Sequence, residues 1–393
     1  MNKYTFIFFA ILLSCTEQKK SELGFSDDDG GEHSKKEKIY LDPESRKKLI
    51  ESYDEYDKIN YELIVIKNRK QLTEILEEYG NSKDNSLNNH VFITLNRKET
   101  KFLRVGDTCV IPDKIVEDNL AYSCFPYFYP EAVDIDKLIM VSNYYQAYGC
   151  YENGKLVRYA ACNTGKERTP TYPGRYALVW KELKRHSSLD THWVMPFTFN
   201  FHRYAGNAFH QYEMPGFPVS HSCIRQSMTD AKWLYYWGKG VKIENGEQVW
   251  LSGTPVVIFG VPDYSARKSG PWQLLKNNKE RPFTLDYDPM EVEEAFIPIS
   301  QIPESVRNWI PNRKRYKAAE DTLRARGIIA GHIKLTASVD FNKLRREKRY
   351  AILKKMKADS LKKKLELNAN PQTNIEEIKN NLKELEPKDS IKK

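Results

Sequence analysis

The chain has 393 residues, a net charge of +9 and 12% aromatic residues, with 24 Tyr and 7 Trp. That is enough for two or three domains with substantial cores, although some of the aromatic content could line a sugar- or peptide-binding groove. Beyond the N-terminus there is no run of about 18 apolar residues, which excludes a polytopic helical membrane protein.

Residues 1–15, MNKYTFIFFAILLSC, carry one cation, Lys3, and an apolar run from Phe6 to Leu13. The run is too short to span a bilayer and reads as the core of a signal peptide. It ends in Leu12-Leu13-Ser14-Cys15, which resembles the bacterial lipobox. That resemblance implies cleavage before Cys15 and lipidation of its thiol. Residues 16–45 are polar and densely charged, with too little apolar surface to fold, and are expected to be a flexible tether. The body would then sit in the cell envelope as a lipid-anchored protein facing the periplasm.

Residues 46–134 read as a small α+β module. LIVIKNRKQLTEILEEYG is expected to be helical up to Gly80, and HVFITLNRKETKFLRVGDTCVIPD to supply strands with a Gly106-Asp107 turn. Cys109 and Cys124 lie close in sequence, and a disulfide between them would contribute about 3 kcal/mol.

From 135 to 263 the texture becomes short β-type runs. KLIMVSNYYQAYGCY and KLVRYAACNTG flank Asn153-Gly154, a strong two-residue hairpin signal. In that register Cys150 faces Val157 and Cys162 faces Tyr145, so the two sulfurs point to opposite faces. GRYALVWKEL and EQVWLSGTPVVIFG add strands rich in Val, Tyr, Trp and Ile. SMTDAKWLYYWGKG is expected to be a helix, capped by Ser227 with Asp230 three residues on and stopped by Gly238. With Cys15 lipidated, five cysteines remain, and an odd number in an oxidising compartment suggests one free thiol. Cys223 is the natural one left over.

Residues 264–340 contain proline-punctuated segments suited to docking on the preceding domain. Residues 341–393 form a basic tail, helical or partly disordered. Between Lys343 and Lys364 eleven Lys and Arg stand against Glu347 and Asp359. Such a face is either solvated or meets an anionic envelope surface; nucleic acid is not an expected partner of an envelope protein.

The stretch HQYEMPGFPVSHSCIRQS, residues 210–227, concentrates two histidines, a cysteine and an arginine. Cys223 has three readings. A disulfide would strand another cysteine. Zinc could use His210, His221 and Cys223, but no HExxH or CxxC accompanies them. A nucleophile needs a base within reach and a positive surrounding, which His210 and Arg225 supply, while backbone amides around Ser222-Cys223 could hold an oxyanion. SARK at 265–268 has the SxxK form of penicillin-binding serine enzymes, but the SDN and KTG partners are missing.

The same stretch resembles the signature of the L,D-transpeptidase catalytic domain (YkuD-type): a His, a Pro-Gly-aromatic-Pro turn, Ser-His-Gly-Cys-aliphatic-Arg, then a helix with Asp-Ala and Leu-Tyr. Upstream, NTGKERTPTYPGRYAL is similar to the family's Thr-Gly and Thr-Pro-x-x-Gly pattern, with Thr169, Pro170, Gly174 and Tyr176 in register. The resemblance covers about 137–262. It implies a mainly β catalytic domain, with Cys223 as nucleophile, His210 as base and the Gln211 carbonyl orienting the imidazole. It also implies that Ser220, His221 and Ser222 line the site and that Arg225, Tyr212 and Pro215 face substrate, with neither metal nor cofactor. The implied reaction takes peptidoglycan tetrapeptide stems, forms a thioester and passes it to an amine, giving 3-3 cross-links or an attached protein. Hydrolysis of stem peptides or of protein–wall links, and binding of peptidoglycan without turnover, are the alternatives. Two departures stand out. Ser222 replaces the usual Gly, which costs about 1–2 kcal/mol if φ is positive there, and Gln226 replaces an apolar residue.

Overall fold

The computed structural model describes residues 42–80, 86–186, 193–266, 269–338 and 341–367. The expected signal peptide, the lipidation of Cys15, most of the tether and the end of the tail lie outside the described residues.

The N-terminal module runs α1 (Pro43–Ser52), β1 (Tyr61–Val65), α2 (Arg69–Tyr79), α3 (Leu87–Asn96) and β2 (Thr108–Pro112). It is α+β, but two of its elements differ from the sequence reading. The helix expected over LIVIK starts only at Asn68, whose side chain accepts from the Gln71 amide at 3.0 Å. Residues 61–65 instead pair antiparallel with β2, from Tyr61 opposite Pro112 to Val65 opposite Thr108. HVFITL is helical rather than extended. The Ser86 hydroxyl caps α3 through the Asn89 amide at 3.2 Å, and burial of Asn89 and of Val91–Asn96 leaves almost no polar face to mark a helical period.

The candidate disulfide between Cys109 and Cys124 is not formed; both are free, buried thiols. Cys109 packs with Ile66, Ile75 and Phe92 inside the module, whereas Cys124 packs with Phe125 and Tyr159 in a different cluster, its sulfur 3.3 Å from the Tyr159 hydroxyl.

The middle of the chain continues with β3 (Leu138–Ser142), β4 (Ala147–Glu152), β5 (Lys155–Ala161), β6 (Gly174–Ala177), β7 (Lys181–His186), β8 (Val194–His202), β9 (Asn207–Gln211), β10 (Ile224–Gln226), α4 (Met228–Trp237), β11 (Ile243–Glu244), β12 (Glu247–Gln248) and β13 (Pro255–Phe259). Five strands form one sheet in the order β5-β4-β3-β13-β6 and four form another in the order β10-β9-β8-β7. Ile139, Val141, Tyr148, Val256 and Ile258 of the first sheet pack against Phe199, Phe201, Phe209 and Ile224 of the second. The opposite face of the five-stranded sheet, through Leu138, Met140, Tyr151, Tyr159 and Val257, packs on Ile59, Val91, Leu95 and Val110 of the N-terminal module. Burial on both faces explains why LIMVS reads as an unbroken apolar run. This middle region is therefore mainly β, as expected.

The hairpin at Asn153-Gly154 forms, but a bulge between Cys150 and Tyr151 puts Cys150 opposite Arg158 instead of Val157. Cys150 and Cys162 consequently share one core cluster rather than opposite faces. They remain free thiols. Cys162 lies four residues beyond Arg158, a separation of about 13 Å along a strand.

The last described elements are α5 (Glu304–Arg307), α6 (Arg313–Ala325) and α7 (Phe341–Leu367). Tyr316 and Leu323 of α6 pack with Ile297, Ile302 and Ile310 on Tyr172 and Tyr204 of the middle region. No helix among the described residues is long and apolar enough to cross a membrane.

Candidate active site

β9 and β10 run parallel, with Phe209 opposite Ile224 and His210 opposite Arg225. Phe209 and Ile224 point into the core between the sheets. Side chains alternate along a strand, so His210, Arg225 and, two residues earlier, Cys223 leave from the other face. Cys223 immediately precedes β10, and its thiol accepts from the backbone of Ala208, two residues before His210 on β9.

Cys223 is the one cysteine among the described residues that is partly exposed; the other four are buried. Burial pushes its pKa up, against a hydrogen bond from the Ala208 backbone and the charges of Arg225 and Arg185. It rests as a thiol, so reaction requires a base to take its proton. His210 is buried, and burial lowers its pKa to about 4; the charge of Arg225 acts the same way and the Gln211 backbone contact opposes both. The Gln211 carbonyl lies 3.0 Å from His210 Nδ1. A carbonyl can only accept, so Nδ1 carries the proton and Nε2 is left as the base.

The loop leading to Cys223 is held by polar contacts on both sides. The Val219 and Ser220 amides donate to the Thr164 carbonyl at 2.9 and 3.0 Å, and the Ser220 carbonyl accepts from the Lys166 amide at 3.0 Å and the Thr169 hydroxyl at 3.0 Å. The Ser220 hydroxyl donates to the Cys223 carbonyl. Gly165 is required here: a Cβ would lie 2.2 Å from the Thr169 carbonyl oxygen. Ser222 has φ 74, the left-handed region that favours glycine, and its hydroxyl donates to the Thr169 carbonyl at 3.2 Å. The Thr171 hydroxyl donates in turn to the Ser222 carbonyl at 3.1 Å. The Ser222 and Cys223 amides make no backbone hydrogen bond among the described residues.

Aromatic and cationic groups form the wall. The Arg225 guanidinium lies 4.6 Å from the Tyr212 ring centre and donates to the Glu213 carbonyl at 3.1 Å. Trp193 stands 6.4 Å from both Tyr212 and His221. His221 Nε2 accepts from the Lys166 ammonium at 3.0 Å, and burial, then Lys166 and Arg225, lower the imidazole pKa. An ammonium at that nitrogen competes with any metal for it. No three His, Cys, Asp or Glu side chains converge among the described residues.

The turn between His210 and Cys223 is tied to the N-terminal module. Pro215 bridges to Lys98, the Met214 amide donates to Glu99 at 3.2 Å, and the Gly216 amide donates to Asn163 Oδ1 at 3.1 Å. Asn163 Nδ2 donates to the Arg97 carbonyl at 3.0 Å. Pro215 therefore belongs to this brace. Gln226 accepts from the Tyr148 hydroxyl inside the core. Sequence reasoning had no role for Lys166, Asn163, Thr171, Arg97 or Trp193. The first three lie in or beside the Thr-Gly stretch, which was the available signal; Arg97 and Trp193 stand in no motif.

This geometry can be set beside known proteins. Residues 136–258 match the YkuD family, the L,D-transpeptidase catalytic domain. The YkuD match contains both sheets except Phe259, with His210 and Cys223 inside it. Among solved structures, an L,D-transpeptidase from Stackebrandtia nassauensis is 22% identical, with 33% of this chain and 58% of that one covered at a TM-score of 0.27. One from Mycobacterium smegmatis is 17% identical, covering 32% and 59% at 0.26. Residues 123–326 of one from Xylanimonas cellulosilytica are 18% identical, covering 51% and 98% at 0.30. The chain thus spans less than two thirds of the first two. No curated protein matches it.

Proposed function

We propose that the chain is a peptidoglycan L,D-transpeptidase working through a thioester on Cys223. The observation that carries this reading is a partly exposed cysteine at the start of β10, beside β9, where His210 is buried with its Nδ1 held by the Gln211 carbonyl. Neutral Nε2 takes the thiol proton as Sγ attacks the stem-peptide carbonyl, and the amides of Ser222 and Cys223 receive the oxyanion. The imidazolium, stabilised by the Gln211 carbonyl dipole, returns the proton to the departing D-amino acid. An acceptor amine then attacks the thioester, losing its proton to Nε2, and Cys223 leaves as the thiol. Arg225 and Lys166 supply the positive charge suited to a carboxylate-bearing peptide. In this reading Cys15 anchors the protein by lipid in the envelope, and the basic helix α7 lies against an anionic surface.

The test is mass spectrometry of the protein with a carbapenem, beside Cys223→Ala. An adduct on the native chain alone, mapped to Cys223, is expected. A tetrapeptide stem offered with an amine acceptor then separates transfer from hydrolysis. A folded sample with free thiol and no adduct would overturn the acyl-enzyme and leave binding of peptidoglycan without turnover.

A further inference from the structure

Trp250 and Trp309 are 43% and 60% exposed, yet both are fixed in orientation. The Trp250 indole N–H donates to Glu294 at 3.0 Å and that of Trp309 to the Ser305 carbonyl at 2.9 Å. Both rings meet the buried Tyr204, which lies in the turn between β8 and β9. Trp250 stacks on it at 5.8 Å and 22°, and Trp309 stands against it at 5.9 Å and 79°. The two indoles are therefore steeply inclined to each other and form a corner with two exposed aromatic faces. Beside Trp250 a cavity of about 30 Å³ is lined by His202, Gln248 and Tyr316. On these lining residues, His202 Nε2, Gln248 Oε1 and the Tyr316 hydroxyl are closed off from solvent and without a hydrogen-bond partner among the described residues. His202 and Tyr316 are 5% and 1% exposed.

An exposed aromatic corner next to unpaired polar atoms asks for a ligand that is apolar on one face and rich in hydroxyls at its edge. We infer that the Trp250–Tyr204–Trp309 corner binds a pyranose of a glycan strand. The C–H face of the ring stacks on an indole, and its edge hydroxyls face the polar side chains that surround the corner. Glu294 and Arg203, whose guanidinium lies 5.7 Å from the Tyr204 ring centre, can meet the remaining hydroxyls. The charged surroundings, with Arg315 paired to Glu293 at 2.9 Å, do not suit an apolar protein interface of about 800 Å² per partner. His202 lies on β8, two strands from β10 in the same sheet, so Tyr204 and Trp250 belong to the region that carries Cys223, and the C-terminal segment adds Trp309. Naming a glycan strand as the source of the sugar rests on the peptidoglycan reading above; the stacking chemistry does not.

The experiment is calorimetric titration of the full chain carrying Cys223→Ala with an N-acetylglucosamine tetramer, repeated with Trp250→Ala and Trp309→Ala added singly. Saturable binding is expected, weakened about tenfold or more by each substitution. Trp309→Phe, which keeps an aromatic face, should restore most of the affinity. Absence of binding by a folded sample, or equal binding by all variants, overturns the proposal. So does a dimer in sedimentation that Trp309→Ala abolishes while the glycan fails to bind. Carbapenem acylation of the native chain is read in parallel. Lost acylation with intact glycan binding counts against the thioester reading alone, and intact acylation without glycan binding counts against the corner alone.

Discussion

Ser222 sits at φ 74 immediately before the candidate nucleophile, where a Cβ crowds the following carbonyl. Its hydroxyl offsets part of that cost through the Thr169 carbonyl. Comparing Ser222→Gly with Ser222→Ala separates the two effects, because both lose the hydroxyl and only alanine keeps the strain. Chemical denaturation should find the glycine variant more stable than the alanine variant by about 1 kcal/mol. His210 supplies the second prediction at this scale. Its pKa of about 4 keeps Nε2 unprotonated down to that pH, whereas an ordinary imidazole would protonate below about 6.5. Carbapenem acylation should therefore change by no more than about twofold between pH 7.5 and 5.5, then fall as pH drops through about 4. Stopped-flow acylation checks this; a rate rising tenfold per unit over that range would mean attack by a pre-formed thiolate. The sequence singled out Cys223 partly by cysteine arithmetic, and that arithmetic does not hold in the structure. All five described cysteines are free, and partial exposure is what distinguishes Cys223.

The helix that follows the site shows what a local signal can fix. Ser227 caps α4 through the Asp230 amide at 3.2 Å and Gly238 ends it, as the spacing predicted. What the sequence did not reveal is that Asp230 is also buried against Arg158 of β5, with contacts of 3.0 and 2.6 Å. Asp230→Ala removes a cap partner and leaves a largely buried guanidinium without its carboxylate. Urea denaturation should show a loss of about 3–5 kcal/mol. Local signals failed where burial removed the periodicity. HVFITLN is β-branched and nearly all buried, so it reads as a strand although α3 is a helix. The hairpin turn was readable from Asn153-Gly154, but the bulge at Cys150/Tyr151 leaves no mark in the residue pattern.

At the scale of the molecule, the YkuD match ends at residue 258, yet the structural unit does not coincide with residues 136–258. One face of the five-stranded sheet is covered by the N-terminal module, through contacts such as Tyr159 and Met140 against Val91 and Leu95. Arg97 is buried at this junction, donating to the Tyr145 carbonyl at 3.0 Å and the Tyr159 hydroxyl at 2.7 Å. Its own carbonyl holds Asn163, which in turn holds the Gly216 amide in the turn before Cys223. Removing the module would expose an aromatic sheet face to water and release the turn that sets the spacing of His210 and Cys223. A chain beginning at residue 136 is therefore expected to aggregate or bind a hydrophobic dye, and not to be acylated. Arg97→Ala in the full chain should be the milder version: folded by circular dichroism, less stable by about 2–4 kcal/mol because several buried acceptors lose their donor, and slower to acylate. A truncated chain that stayed monomeric and was acylated at the full rate would show that the sheet tolerates an open face and that the brace on the loop is dispensable.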